Sequence, residues 1–254
     1  MKWPGVYNIM IAGMANFQPK FSIIIPARNE EAFIGRCLDS IVVACTPYPS
    51  QVEIIVAINR CTDRTEEIAR SYGAIICHTA VRNLAAIRNA AAMRAKGEMI
   101  LTIDADSWMT PNMLTEIERA LKSGKYIGGG VLICPERLSL GLLLTGVVLG
   151  VFVLRHRISG GLFWCYRKDF IALNGFDERF VSVEDVDFAK RLRKSGTMQG
   201  KRFKTLWRAW IWTSCRKWDR FGDWYLLKNV ILLRKLLAGK DQAVADKFYY
   251  DFER

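Results

Sequence analysis

The chain has 254 residues, 51% hydrophobic and 24% charged, without low-complexity tracts or internal repeats, which suits one large globular domain with a full core and excludes a disordered or fibrous chain. Its net charge of +12 is uneven: residues 155–235 hold 19 Lys or Arg against 8 Asp or Glu, so that half should face an anionic partner such as a phosphorylated substrate, anionic lipid or nucleic acid. Seven cysteines with no C-x-x-C pair, and only two histidines (His78 and His156), argue against a disulfide framework, a zinc site, a histidine-rich metal centre and a Ser-His-Asp triad, and favour a reducing, cytoplasmic compartment.

Residues 1–20 read as an N-terminal extension whose apolar run, 9–15, is too short and weakly flanked for a signal peptide. A buried first strand follows at 22–26, stopped by Pro26. Phe33/Ile34, Cys37/Leu38 and Ile41/Val42 recur at helical spacing, giving an amphipathic helix from about residue 30 to 44, ended by Pro47 and Pro49. Residues 52–58 form a second strand rich in β-branched side chains. Asp63 and Glu66 suggest a capping box for a helix reaching Ser71. After Gly73 come a short strand at 74–77, a helix at 84–94, the break at Gly97 and a strand from Met99 that delivers Asp104. This alternation predicts a parallel sheet with right-handed crossovers. Thr110 and Pro111 then suggest a helix start, with Leu114, Ile117 and Leu121 on its buried face.

Beyond Tyr126 the rhythm changes. Residues 126–134 suggest a strand kinked at Gly128–Gly129–Gly130. Residues 138–154 contain no charge and are followed by Arg155, His156 and Arg157. A spanning helix needs roughly 17 to 25 apolar residues, so three readings stay open: a helix seated on the domain, a membrane-dipping segment, or a true span. A span would part the two halves of any shared site. Residues 160–167 read as a strand, followed by a short helical piece ending at Asn174–Gly175, and Phe188 and Leu192 mark a basic helix ending at Gly196. Residues 218–237 alternate aromatics and leucines with Arg220, Lys228, Arg234 and Lys235, as in a basic amphipathic helix packed on the domain or lying on anionic lipid.

The chemistry centres on Asp104-Ala105-Asp106. Ligands of open α/β sheets bind beyond the carboxyl ends of the strands. Two carboxylates there suit a hard divalent cation that completes its shell with water and phosphate.

Ser22-Ile-Ile-Ile-Pro-Ala-Arg-Asn-Glu-Glu31, Asn59-Arg-Cys-Thr-Asp-Arg-Thr65, Ile87-Arg-Asn-Ala-Ala91, Asp104-Ala-Asp106, Gly175-Phe-Asp-Glu178 and Glu184-Asp185 occur in the order and spacing of family 2 glycosyltransferases. The chain resembles that family from about Phe21 to Trp218. The resemblance implies a GT-A fold, a nucleotide-diphosphate sugar donor, inversion at the anomeric centre, and Mn2+ or Mg2+. By that pattern Asp106 holds the metal, while Asp104 contacts the ribose or metal-bound water. The loop Pro26, Ala27, Arg28, Asn29, Glu30 seats the nucleotide, and Arg88 and Asn89 lie on a helix that touches it. Asp185 takes the role of general base, with Glu184 setting its position and acidity. Arg216, Lys217 and Trp218 fall near the diphosphate and acceptor, and Gly160, Gly161 and Trp164 fall where the acceptor site forms. Two departures stand out. Ile58 replaces an aspartate that contacts the nucleobase in many relatives, leaving Asn59 or a backbone group to do so. No histidine lies around 210–214 to act as an additional metal ligand.

The expected architecture is a GT-A-type doubly wound, mostly parallel sheet: 21–125 the nucleotide-sugar half, 126–215 the acceptor and catalytic half, and 216–254 a basic helical region. The expected acceptor is glycan or lipid-linked in the cell envelope, with peripheral contact at the inner face of the membrane and no nucleic acid partner. No multi-span region supports a processive synthase. A nucleotidyltransferase should carry a glycine-rich, lysine-containing loop after the first strand, and Pro26 to Glu30 is not one. A non-catalytic sugar- or lipid-binding protein on the same scaffold is the other alternative, opposed by the presence of Asp104, Asp106 and Asp185.

Overall fold

The computed structural model describes residues 18–156 and 158–225. Four parallel strands open the chain: β1 (Phe21–Ala27), β2 (Val52–Asn59), β3 (Ile75–Thr79) and β4 (Met99–Ile103), joined through helices α1 (Ile34–Cys45), α2 (Thr65–Ser71) and α3 (Leu84–Ala92). β1 lies between β2 and β4, and β3 flanks β2. Every residue of β1 and β2 is buried, so both faces need apolar side chains. Phe21, Ile23 and Ile25 pack with Leu38 and Ile41 of α1 on one face, whereas Ile24 packs with Ile87 and Ala91 of α3 on the other. The period of two along the strand divides the core into these two layers.

A buried carboxylate interrupts the apolar pattern of β2. Glu53 accepts hydrogen bonds from Ser22 Oγ (2.5 Å), Lys96 N (2.6 Å) and Gly97 N (3.0 Å), which pins the turn before β4 to β1.

The remaining elements are β5 (Ser107–Met109), α4 (Met113–Lys122), β6 (Tyr126–Pro135), α5 (Leu140–His156), β7 (Leu162–Tyr166), α6 (Arg167–Ala172), α7 (Glu184–Met198), β8 (Arg202–Thr213) and α8 (Arg216–Phe221). β7 pairs antiparallel with β4 and β6, β6 pairs parallel with β8, and β5 pairs antiparallel with β8. One eight-stranded sheet results, in the order β3-β2-β1-β4-β7-β6-β8-β5, parallel at one end and mixed at the other. Gly129 permits the close packing of its middle: an added Cβ would fall 1.8 Å from Lys204 O and 2.6 Å from the Trp164 ring. The ladder between β6 and β8 shifts register at Tyr126/Gly128 and again at Val131/Leu132.

Several local expectations need correction. α2 starts without a capping box: Asp63 Oδ1 accepts from Thr65 N (3.1 Å), and Glu66 pairs with Arg70 instead of reaching back. α4 starts at Met113, and the Thr110 hydroxyl accepts from Trp210 N (3.3 Å) across the sheet edge. α7 continues past Gly196 to Met198. The helix expected from Trp218 stops at Phe221, before Gly222, and residues 226–237 lie outside the described residues, as do 1–17. The sequence reading assigns no element to 202–213, which form β8. α5 is seated on the domain through Gly141, Leu142 and Thr145. Among the described residues, no helix is long and apolar enough to cross a membrane.

Candidate active site

A cleft of about 220 Å3 opens at the carboxyl ends of β1, β2 and β4. Pro26, Ala27, Arg28 and Glu30 form one wall, with Asn59 behind them. The stretch 59–65 sets the shape of this loop. Thr62 N donates to Asn29 Oδ1 (2.9 Å), Glu30 N donates to Thr65 Oγ1 (2.7 Å), and Glu31 N donates to Asp63 Oδ2 (3.0 Å). Burial pushes the Asp63 carboxyl upward, but the hydrogen bonds from Thr65 and the Glu31 amide outweigh it and hold the group below the usual carboxylate range.

Asp104 and Asp106 stand at the cleft rim after β4, each steered by an arginine. Arg88 Nη2 donates to Asp104 Oδ1 (2.7 Å). Arg216 forks onto Glu30, at 2.6 and 2.7 Å, and also donates to Asp106 Oδ2 (2.9 Å). The pairing of β5 with β8 brings Ser214 alongside, where its amide donates to Asp106 O (3.0 Å) and its hydroxyl to Oδ2 (3.3 Å). Asp104 Oδ2 and Asp106 Oδ1 have no hydrogen-bond partner among the described residues.

The opposite wall is the N-terminus of α7. Val183 takes a left-handed conformation (φ +55°), which is costly for a β-branched residue, and Glu184 follows it into the helix. Glu184 lines the cleft and accepts from Arg88 Nη1, so one buried guanidinium joins Asp104 to the first turn of α7. Burial pushes Glu184 up to about 7; Arg88 pulls it down, and Asp185 pushes it up again. Asp185 is raised as well, chiefly by burial, with Arg88 opposing. Asp185 is half-buried and, unlike Glu184, outside the cleft lining; its Oδ1 accepts from Val186 N (2.7 Å), and Oδ2 lies 3.6 Å from where a Cβ on Gly160 would sit.

Most of the anticipated residues therefore converge: Pro26, Ala27, Arg28 and Glu30; Asn59; Asp104, Ala105 and Asp106; and Glu184, Arg216 and Trp218 line the cleft. Others do not. Asn29 is turned onto Thr62. Arg88 lies beneath the surface, touching the acids instead of the cleft space. Asn89 is spent on the loop 175–178, donating to Phe176 O (2.8 Å) and Glu178 Oε1 (3.0 Å) and accepting from Phe176 N (2.9 Å). Gly175 makes that contact possible: its φ is +61°, and a Cβ there would sit 2.5 Å from Asn89 Oδ1. Trp164 is 0% exposed and donates its indole N–H to Gly130 O (3.3 Å), so it belongs to the core and cannot face an acceptor. Gly160 and Gly161 form the turn into β7, outside the cleft lining. Thr213 and Ser214 line the cleft without having been anticipated, as do the apolar Leu84, Ile87 and Val181. The aromatic and β-branched residues of 203–213 are a strand signal that ends on Thr213, whereas Ser214 lies beyond it.

The fold is similar to those of solved GT-A glycosyltransferases. S. aureus TarS (residues 1–349) superposes with a TM-score of 0.61 at 19% identity, covering 90% of this chain and 69% of that one. The mannosyltransferase PcManGT of Pyrobaculum calidifontis, solved with GDP-Man and Mn2+, gives 0.62 at 17% identity, covering 98% and 77%. At such identities the likeness is one of fold. The family description "Glycosyl transferase family 2" matches residues 22–145, and "N-terminal domain of galactosyltransferase" matches residues 154–209. The likeness to glycosyltransferase family 2 is thus carried by residues 22–145, a little under half of the chain. The putative glycosyltransferase EpsH of Bacillus subtilis is 28% identical over 106 residues, 40% of this chain and 30% of that protein. The 4,4'-diaponeurosporenoate glycosyltransferase of Staphylococcus aureus is 48% identical over 62 residues, 24% of this chain and 16% of the relative. The matches thus span less than a third of these curated relatives' lengths.

Proposed function

We propose that this glycosyltransferase moves a sugar from a nucleotide-diphosphate sugar to a hydroxyl or phosphate of a glycan or lipid-linked acceptor of the cell envelope, with inversion at the anomeric carbon. The observation that carries this reading is the meeting of Asp104, Asp106, Arg216 and Glu184 around one cleft at the ends of parallel strands. TarS has been solved with UDP-GlcNAc and PcManGT with GDP-Man, which supports a sugar-nucleotide donor for this chain.

The nucleobase lies against Asn59 in this scheme. The Asn59 amide donates to Thr79 O (3.1 Å) and Val81 O (2.9 Å), which fixes its orientation. Its Oδ1 is buried and without a partner among the described residues, so it accepts an N–H of the base. Arg28, Arg216 and Lys217 face the diphosphate. The acceptor enters beside Gly160. Asp185 removes its proton as the oxygen attacks the anomeric carbon, and the nucleoside diphosphate departs towards Arg216 and Lys217. Glu184, held by Arg88, positions that base.

The donor set fits Mg2+ or Mn2+: the unpartnered oxygens of Asp104 and Asp106 are hard ligands, in the number such an ion takes when phosphate and water complete its shell. Bound there, the cation would offset the charge growing on the leaving diphosphate. PcManGT and the M. tuberculosis glucosyl-3-phosphoglycerate synthase were both solved with Mn2+.

The test is a panel of nucleotide sugars with Mn2+ or Mg2+, followed by nucleoside diphosphate release. Asp106→Asn and Asp185→Asn should each lower turnover roughly 10²–10⁴-fold at an unchanged unfolding temperature. Variants that turn over like the parent would remove these residues from their roles.

A further inference from the structure

The loop between α6 and α7 delivers Glu184 and Asp185, and it ends at a strained residue. Val183 is left-handed (φ +55°), a conformation that persists only where the surroundings over-determine it. Part of the loop is self-contained: Phe180 N donates to Asp177 O (3.1 Å), and Arg179 N donates to Asp177 Oδ1 (3.0 Å). Asn83 ties this turn to α3. Its Nδ2 donates to Glu178 O (2.8 Å) and to Phe180 O (3.1 Å), while its Oδ1 accepts from Ala86 N (2.8 Å) and caps the helix. One carboxamide thus joins the start of α3 to a turn 95 positions further along the chain. Just past the tied carbonyls, Val181 lines the cleft together with Leu84 and Ile87 of α3, Ser182 is buried, and Glu184 opens α7.

We infer that Asn83 is a positioning residue for the transfer step: by holding the turn on α3 it keeps Val183 left-handed and fixes where the first turn of α7 presents Asp185. Asn89 secures the beginning of the loop, through Phe176 O and Glu178 Oε1, and Arg88 secures Glu184 beyond its end. Asn83 holds the stretch between them, three positions before Val183 at its nearer contact. Misplacing a base is expensive, because proton removal and attack must share one geometry. Arg28, Arg216 and Lys217 stand on other elements, so losing the clamp acts on turnover and leaves the hold on the diphosphate in place. That role rests on the transferase reading; the clamp itself rests on the hydrogen bonds alone.

The test is Asn83→Ser in the full chain, which keeps a capping oxygen for α3 and removes both donors to the loop. Trypsin cleavage after the exposed Arg179, read by mass spectrometry, should speed roughly tenfold over the parent. The unfolding temperature should fall by no more than about 4 °C. Assayed with UDP-, GDP- and dTDP-sugars and Mn2+, kcat should fall roughly 10- to 100-fold, while affinity for the matching nucleoside diphosphate changes less than about twofold. A second background tests the link through Val183. Glycine takes a positive φ freely, so in Val183→Gly the same Asn83→Ser change should lower kcat less than about threefold. Unchanged cleavage after Arg179, unchanged kcat, nucleotide affinity lost in step with kcat, or the full kcat loss in the Val183→Gly background would each overturn the positioning role. A larger drop in unfolding temperature would leave Asn83 a helix cap alone and overturn it too. A parent that turns over a donor no faster than Asn83→Ser overturns this role and leaves the transferase reading standing, whereas a parent inactive on every donor overturns that reading and the role with it.

Discussion

Arg88 and Arg216 decide how the acids of the cleft are presented. Arg88 stands between Asp104 and Glu184, with Asp185 close enough to add its charge, so three carboxylates depend on one buried cation. Burial, with Asp185 adding to it, lifts Glu184 to about 7 despite Arg88, and burial lifts Asp185. A base must be ionised to work, so activity is lost as pH falls through the raised value. The acid limb of kcat/KM should therefore lie above the ordinary carboxylate range. A pH–rate profile of the parent protein checks this. The stability sign follows from the same shift. The folded state binds more protons than the unfolded one between ordinary carboxylate values and about 7, so the contribution of this pair falls as pH rises through that window. Arg216→Lys loses the fork onto Glu30 and should lower kcat/KM roughly 10- to 100-fold, read from steady-state kinetics with donor varied. The acids themselves were legible in the sequence because their motifs sit at strand and helix ends. Their partners were less so. Arg88 and Asn89 read as nucleotide contacts, yet adjacent residues on a helix face different ways: one reaches the acids, and the other the loop at Gly175.

Two elements show why the first half of the fold was readable and the second less so. Runs such as 22–26 and 52–58, separated by helical spacing, announce parallel strands directly. β8 hides its period. Leu206 pairs with Val131 and Trp210 with Leu132, so residues 207–209 are extra, and the alternation of buried and exposed side chains breaks in the middle of the strand. Glu53 hides for another reason, since a charge within an apolar strand gives no hint that two backbone amides and a hydroxyl converge on it. Glu53→Ala leaves those donors buried and unmet. It should cost about 3 kcal/mol, or roughly 6–12 °C in unfolding temperature, whereas Glu53→Gln keeps an acceptor oxygen and should lose less. Calorimetry on both variants would decide. Gly175→Ala meets a positive φ and the Asn89 oxygen together, and should destabilise by about 1–3 kcal/mol in the same experiment.

Across the whole molecule, the site is assembled from stretches that lie far apart in the sequence. Asp106 and Arg216 are 110 positions apart, and β4 takes as its neighbour β7, which follows two intervening strands. The parallel strands β1 to β4 are complete by residue 103, long before the last strand that borders the cleft. A growing chain leaving the ribosome can thus build its first layers while it still lacks any place to hold a ligand, and it becomes competent only when β8 docks and carries Arg216 to Glu30. Refolding from denaturant should repeat this order, with the far-ultraviolet signal recovering ahead of nucleotide affinity. If both returned in one kinetic phase, the late arrival of β8 would not govern maturation.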